Sequence, residues 1–357
     1  MKNYNQILKQ YYKKYLNREP DKKGFSHYLS LLETGELNEE TLREKFINSD
    51  EYNVHRKIQA QLDNYPELTG TYSYYETKIN QLISQYDNEP KITIRKNGEV
   101  YFVNSSNFKL FWAWLQVGLW EHNIFNIFDA FLDSNHSCID LGAWIGPTVL
   151  YECQKARHCY AVEPDPVAFK ILKSNIDCNP NLISRISLFN DCIMNSCGVT
   201  YLTPFGEGLG SSRTRAIGEN YSHIYKPKFV VDQIEESLII SSKSLKINSI
   251  TFQQFIMENS INDCNFIKFD IEGAEFLVLP EMLEFLKKEK PTICLSMHPT
   301  FMNNPKKSME EIYNVIRVYD NIYDNRLRKV GHDFILNKDA IKSGIQIVIS
   351  EKKPSPK

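Results

Sequence analysis

No window of the 357-residue sequence approaches the run of about 20 apolar residues that a membrane-spanning helix requires. The opening residues, MKNYNQILKQYYKK, lack the apolar stretch and small-residue cleavage site of a signal peptide. A soluble, cytoplasmic protein is the expectation. Charge of one sign is missing too. Forty-two Lys and Arg against 44 Asp and Glu leave a net −2, so no global field draws the chain to nucleic acid or to an anionic membrane. Cysteine is absent before Cys138, none of the eight forms C-x-x-C, and no histidine follows Cys192 and Cys197 at zinc-finger spacing. The cysteines therefore read as small buried hydrophobes in a reducing compartment. Neither an internal repeat nor a low-complexity tract is present.

What is there divides in two. Up to about residue 55, apolar residues recur at helical spacing, as in Ile7, Leu8, Tyr11, Tyr12 and Tyr15. Pro20-Asp21 breaks the pattern, Gly35 suits a helix end, and Asn38 with Thr41 suits a helix start. Residues 1–60 are expected to form a small all-α domain, 61–90 a helical linker, and 91–357 a second domain. That domain opens with KITIRKNGEVYFV, whose Asn97-Gly98 marks a hairpin. The stretches FKLFWAWLQVGLW and NIFNIFDAFL follow as apolar helices. Their tryptophans, Trp112, Trp114 and Trp120, are expected in a core rather than at an acceptor site. From residue 137, short β-prone runs (SCID, HCYAVEP, ISLFN, FIKFD, TICLSMHP, IQIVIS) alternate with helical patterns. The expected fold class is α/β: a mainly parallel sheet with helices on both faces. The last residues, EKKPSPK, read as a fraying tail.

In such a sheet, ligands bind beyond the C-terminal strand ends, where the strand order reverses. CIDLGAWIG sits at the end of the first strand. Gly142 allows a sharp turn and close approach, Gly146 allows tight packing, and Pro147 suits the first position of the next helix. Asp140 would repel a pyrophosphate but suits an amine, or alternatively orders the turn. Glu163 in AVEPD ends the second strand, where an acid can accept both hydroxyls of a ribose. Asp191, beside Cys192, ends the third and can accept from an adenine amino group. Three acids at successive strand ends match S-adenosylmethionine (SAM), which carries an amine and no phosphate. Asp140, Gly142, Ala143, Trp144, Gly146, Glu163, Asp191 and Cys192 are the expected cofactor residues. A nicotinamide-dependent oxidoreductase would share the sheet, but the usual G-x-G start is missing and Asp140 opposes it.

CIDLGAWIG, YAVEPDPVAFKILKSNI and FIKFDIEGAEFLVL resemble the FkbM family of methyltransferases over roughly residues 95–350. The resemblance implies a class I, Rossmann-like, SAM-dependent O-methyltransferase of antibiotic or surface-glycan pathways. Trp144 departs from the Asn common there, which puts the seat of the methionine end in question. YYKKYLNREPDKKGFSHYL with FINSDEY is similar to a small helical domain fused to bacterial glycan-associated enzymes, covering about residues 8–53. It implies a glycan setting, and a protein partner through residues 1–60 goes with the reading of the chain as a scaffold.

Alcohol methylation needs alignment and a proton acceptor. FIKFDIEGAE supplies Asp270, Glu272 and Glu275 near one strand end, and ICLSMHP supplies His298 at the next. One arrangement has His298 or Glu272 as general base with Asp270 orienting the site. The other has Asp270, Glu272 and His298 gripping magnesium or manganese. Glu272 and Glu275 equally suit the helix N-terminus that follows. PFGEGLGSSRTR, residues 204–215, reads as a lid over the acceptor, with Arg213 and Arg215 for an anionic group on it, or as a solvated loop. The expected activity is methyl transfer to a hydroxyl of a sugar in a surface polysaccharide or its precursor. A non-catalytic scaffold that kept the fold is the competing reading.

Overall fold

The computed structural model describes residues 3–16, 18–204, 209–218, 228–231, 234–237 and 244–355. The chain forms two compact units, residues 1–88 with 109–120, and residues 89–108 with 121–357. The first holds helices α1 (Tyr4–Leu16), α2 (Lys22–Glu33), α3 (Glu39–Ile47), α4 (Asp50–Asn64) and α5 (Tyr72–Tyr86). The apolar stripes of α1 to α3 meet in a small core of Leu8, Tyr12, Leu16, Leu32, Leu42 and Phe46. Asn38 and Thr41 form a reciprocal capping box at the start of α3. Gly35 turns the chain after α2 with φ +79°. One more helix of this unit, α6 (Lys109–Val117), lies far along the chain and packs on α5.

The second unit opens with the expected hairpin, β1 (Lys91–Lys96) and β2 (Glu99–Asn104). Asn97 and Gly98 both have positive φ, as a tight hairpin turn requires. After α7 (Ile124–Phe131) come β3 (Ser137–Leu141), α8 (Val149–Lys155), β4 (Cys159–Val162), α9 (Pro166–Asp177) and β5 (Ile186–Phe189). The stretch from 192 to 251 adds β6 (Cys192–Met194), β7 (Gly198–Thr203), β8 (Arg215–Gly218), β9 (Lys228–Val231), β10 (Ile234–Ser237) and β11 (Leu245–Thr251). Then follow α10 (Phe252–Glu258), β12 (Cys264–Phe269), α11 (Glu275–Glu281), α12 (Leu283–Glu289), β13 (Thr292–Met297) and α13 (Pro305–Ile316). Last come β14 (Asn321–Asp324), β15 (Lys329–Val330), α14 (Lys338–Ser343) and β16 (Ile345–Ser350).

The main sheet has the order β15-β14-β16-β13-β12-β3-β4-β5. Five strands, β13-β12-β3-β4-β5, run parallel, and β16, β14 and β15 close one edge antiparallel. Every residue of β3 is buried, as in a strand covered on both faces. Ile139, Leu141, Ile267, Phe269, Ile293 and Leu295 fill the core at 0% exposure. The β-prone runs foreseen from sequence supply β3, β4, β5, β12, β13 and β16. A second sheet, β6-β11-β7-β8, was not foreseen. The order matters for function: β4 lies on one side of β3 and β12, the fourth strand of the parallel set, on the other. The switch point therefore falls between β3 and β12.

Two expectations change. Pro147 precedes α8, which starts at Val149 with Thr148 as its N-cap residue, so the proline shapes the turn rather than the helix. The chain end is anchored through Ser355, whose N–H donates to Ala130 O at 3.0 Å, rather than frayed from residue 351. Residues 356 and 357 of that tail lie outside the described residues. Six cysteines are buried, Cys264 is half-buried, Cys197 is exposed, and all eight are free.

Candidate active site

The turn after β3 is built on glycine. Gly142 has φ +84°, and a side-chain carbon there would fall on the Asp270 carbonyl oxygen. The close approach is thus by the neighbouring strand end, and it locks the first turn against the β12 end. Gly142 and Ala143 N–H both donate to Val162 O, at 3.0 and 3.1 Å. Gly146, at φ +91°, lets Leu172 of α9 pack where a side chain would sit only 2.7 Å away. Trp144 adopts the left-handed region at φ +48°, a conformation that costs a non-glycine residue about 1–3 kcal/mol.

Asp140 does not face the cleft. It is fully buried, and Lys268 Nζ donates to its Oδ1 at 2.8 Å while Thr148 Oγ1 donates to its Oδ2 at 2.5 Å. Lys268 also donates to Gly142 O at 3.0 Å. Of the two roles the sequence left open, this geometry is that of ordering the turn. Ala143 and Gly146 likewise shape the turn behind the lining rather than forming it.

The cavity at the switch point encloses about 50 Å³. Gly142, Trp144, Glu163, Asp191 and Cys192 line it, with apolar walls from Val162, Ile193 and Ile271. Glu163 Oε2 accepts from Trp144 N and Oε1 from Asp165 N, both at 2.8 Å. Each oxygen keeps a lone pair for a hydroxyl. Burial, only partly offset by those two amides, pushes the Glu163 carboxyl up to about 7. Burial, then the charge of Glu258, also raises Asp191.

Part of the glycine-rich loop closes over this cavity. Residues 205–208 lie outside the described residues, but Ser211, Ser212 and Thr214 line the cavity directly. The loop is latched twice. Trp144 Nε1 donates to Gly210 O at 2.9 Å, and Asp165 Oδ2 accepts from Gly210 N at 2.5 Å and Thr214 Oγ1 at 2.9 Å. The segment expected as a lid over the acceptor thus contributes to the lining of the cavity that Glu163 and Asp191 also line. Arg215 is buried rather than on the loop surface. It is 1% exposed, 3.5 Å from Glu272 Oε2, and its guanidinium lies 3.5 Å from the Phe301 ring centre. Arg213 N–H donates to Ser211 Oγ within the loop.

Asp270 and Glu272 line the same cavity. His298, one residue past β13, brings Nε2 to 3.6 Å from Asp270 Oδ1 and 4.0 Å from Glu272 Oε2. Glu272 at φ +54° and Gly273 at φ +105° make the tight bend that aims the carboxylate there. Glu275, the first residue of α11, is fully buried. Its Oε2 accepts from Gly273 N at 2.8 Å, and its Oε1 accepts from His298 N at 2.7 Å and faces His298 Nδ1 at 3.1 Å. Burial works against a charged imidazole, but Glu272, Glu275 and Asp270 outweigh it and raise His298 to about 10. At neutral pH the ring therefore carries a proton, which disfavours it as the general base. Burial raises Glu272, an effect opposed by His298 and Arg215.

Sequence reasoning missed four groups. Lys268 sits inside the quoted FIKFD, yet its role depends on standing directly across from Asp140 in the β12–β3 ladder. Glu152 of α8 is fully buried, and burial followed by Asp140 pushes its carboxyl well above the usual range. Glu121, at φ +37°, accepts from Gln346 Nε2 at 3.3 Å. Burial and then Asp270 raise it to about 7. Asp165 was quoted in AVEPD only as the neighbour of Glu163; it caps α9 through Val167 N and holds the loop latch.

Comparison with known proteins bears on this arrangement. No curated protein matches the chain. Among solved structures, a methyltransferase FkbM from Methylobacillus flagellatus KT is 12% identical over 92% of this chain and 71% of that one, with a TM-score of 0.35. TYW2 of M. jannaschii, in complex with AdoMet, is 11% identical over 73% and 85%, with a TM-score of 0.34. The tRNA m1G37 methyltransferase of M. jannaschii is 13% identical over 74% and 58%, with a TM-score of 0.31. A family model described as the methyltransferase FkbM domain matches residues 140–323. That span is more than half of the sequence and carries the turn, the cavity lining, and Asp270, Glu272 and His298. The chain belongs to the FkbM methyltransferase family.

Proposed function

We propose that this chain uses SAM to methylate a hydroxyl, on a sugar of a surface polysaccharide or its precursor. One observation carries the reading: Asp270 and Glu272, backed by His298, line the same cavity as Glu163 and Asp191. The donor set suits SAM. Glu163 has lone pairs for the ribose hydroxyls, Asp191 accepts from the adenine amine, and Val162, Ile193 and Ile271 offer apolar walls to the ring. The volume does not suit it in the latched form, because small-molecule sites run from about 300 Å³ upward. Loading requires the 209–214 segment and Trp144 to move aside.

Bound SAM supplies a methyl group on a positively charged sulfur. The protein's part is alignment, which can contribute about 7–11 kcal/mol, and removal of the hydroxyl proton. As the oxygen–methyl bond forms and the sulfur–methyl bond breaks, the hydroxyl proton passes to Glu272. Asp270 would contribute negative charge to the same cavity, and Glu275 fixes the His298 ring. The sugar acceptor is supported by the motif resemblance and by the helical unit at the N-terminus, not by the cleft itself.

Calorimetric titration with SAM, and separately with S-adenosylhomocysteine (SAH), tests the reading. Saturable binding that is weakened in Glu163→Ala supports it and justifies turnover assays on glycan acceptors. A folded protein that binds neither ligand overturns it and favours the scaffold alternative, for which the small latched cavity speaks.

A further inference from the structure

We propose that Asp270, Glu272 and His298 form a binding site for one divalent cation of the magnesium and manganese class. The inference concerns the same cleft and rests on the methyltransferase reading only for its chemical purpose.

The geometry is that of a partly gathered ligand set. One ligand atom from each of the three residues lies within 4.8 Å of the other two. An octahedral ion with bonds of about 2.1 Å holds adjacent ligand atoms about 3 Å apart. The observed 3.6 Å and 4.0 Å from Nε2 to the two carboxylates exceed that spacing by about 1 Å or less. Two carboxylates and one imidazole are hard to borderline donors, which suits magnesium or manganese better than a thiophilic metal.

The histidine is oriented from outside the set. Glu275 Oε1 holds both the backbone N–H and Nδ1 of His298. Nδ1–H is thereby held toward Glu275 and Nε2 is turned toward Asp270 and Glu272. A cation bound between Nε2 and the two carboxylates takes the place of the Nε2 proton that they otherwise hold. A carboxylate behind the far nitrogen of a metal-bound histidine is the usual supporting arrangement.

Charge points the same way. Three carboxylates, Asp270, Glu272 and Glu275, face His298, with Arg215 3.5 Å from Glu272 and Lys268 4.0 Å from Asp270. Lys268 is 2.8 Å from Asp140 and 4.0 Å from Asp270, so most of its charge serves the turn. A divalent ion that displaces the imidazole proton keeps these carboxylates neutralised. With an ion bound, Glu272 and His298 would serve as ligands and Glu272 would no longer be the base; the ion would supply the Lewis acidity that lowers the pKa of an acceptor hydroxyl, whose proton would pass to water.

A second gathered group among the described residues does not compete. Cys138, Glu152 and Cys159 are also close together, but all three are buried. Burial raises the Cys138 thiol to about 12, and a hydrogen bond to Cys138 with burial raises Cys159 well above its ordinary value. Protonated, enclosed thiols are not metal ligands.

The test is a titration of the full-length, chelator-stripped protein with manganese, followed by electron paramagnetic resonance of the free ion. SAH binding is measured on the same samples. One manganese per chain, displaced by magnesium and weakened at least tenfold in both Asp270→Asn and His298→Gln, is the expected result. Glu275→Gln, which touches no ion, is expected to weaken it by about 10–100-fold. Glu310→Gln, on the exposed face of α13, should leave it unchanged. No saturable site up to about 1 mM manganese in a folded, SAH-binding protein overturns the proposal. So does binding that is unaffected by both ligand substitutions. Manganese binding without SAH binding supports the metal site while overturning the SAM reading, so the two fail separately.

Discussion

Lys268 Nζ donates to Asp140 Oδ1 at 2.8 Å, with the two side chains 4% and 0% exposed. The pair ties the β12 end to the β3 turn, because the same ammonium also holds Gly142 O. Removing one partner strands a buried charge, which costs about 3–5 kcal/mol. Lys268→Met and Asp140→Asn are each expected to lower urea-unfolding stability by that order. The double variant should lose clearly less than the sum, because neither charge is left alone. Additive losses would mean that the two residues do not act as a pair.

Trp144 Nε1 and Gly210 O form the outer latch of the loop. If that latch limits entry to the cavity, Trp144→Phe keeps the ring contact with Phe108, at 5.2 Å in the parent, but loses the hydrogen bond. SAH should then associate faster in stopped-flow measurements, by about three- to tenfold for a lost hydrogen bond of roughly 1 kcal/mol. An unchanged association rate would remove Trp144 from the gate.

Six strands of the main sheet, β3, β4, β5, β12, β13 and β16, were legible as short apolar runs, and the FkbM motifs lie on the ends of several of them. What the residues do was less legible. Asp140 looked free to take an amine, because its partner Lys268 is 128 positions away and meets it only through parallel register. His298 looked like a base, because the carboxylates that charge it come from a different strand end. Arg215 looked like an anion site within a polar loop, whereas it starts β8 and is covered by Phe301. In each case the sequence names the residue type and the strand end, and tertiary pairing decides the role.

Glu163 gives the cofactor site a pH dependence. Its carboxyl is raised to about 7 by burial, with the neighbouring Asp165 adding to the rise and Lys268 opposing it. Its ordinary unfolded value is near 4.5. The ionised form accepts hydroxyl protons, and the protonated form loses acceptor capacity. SAH affinity is therefore expected to be level above about pH 7 and to fall below it, by at most about tenfold per pH unit. In Glu163→Ala the affinity should be lower throughout and lack that break. Calorimetry between pH 5.5 and about 8 reads both curves. The same break persisting in the variant would assign the titration to another group.

The helical unit is more than a detachable leader, because it includes a helix from the middle of the chain. Helix α6 packs on α5 within that unit. Lys109 pairs with Asp87 at 2.5 Å, and Tyr86 OH, on a side chain 3% exposed, donates to Gln116 at 3.5 Å. A chain that starts at Glu89 would keep α6 and lose α5, uncovering apolar surface at about 25 cal/mol per Å². Such a chain is expected to bind the dye ANS strongly and to melt at a lower temperature than the full-length protein. A truncated chain with unchanged melting temperature and no dye binding would show that α6 does not depend on the first 88 residues.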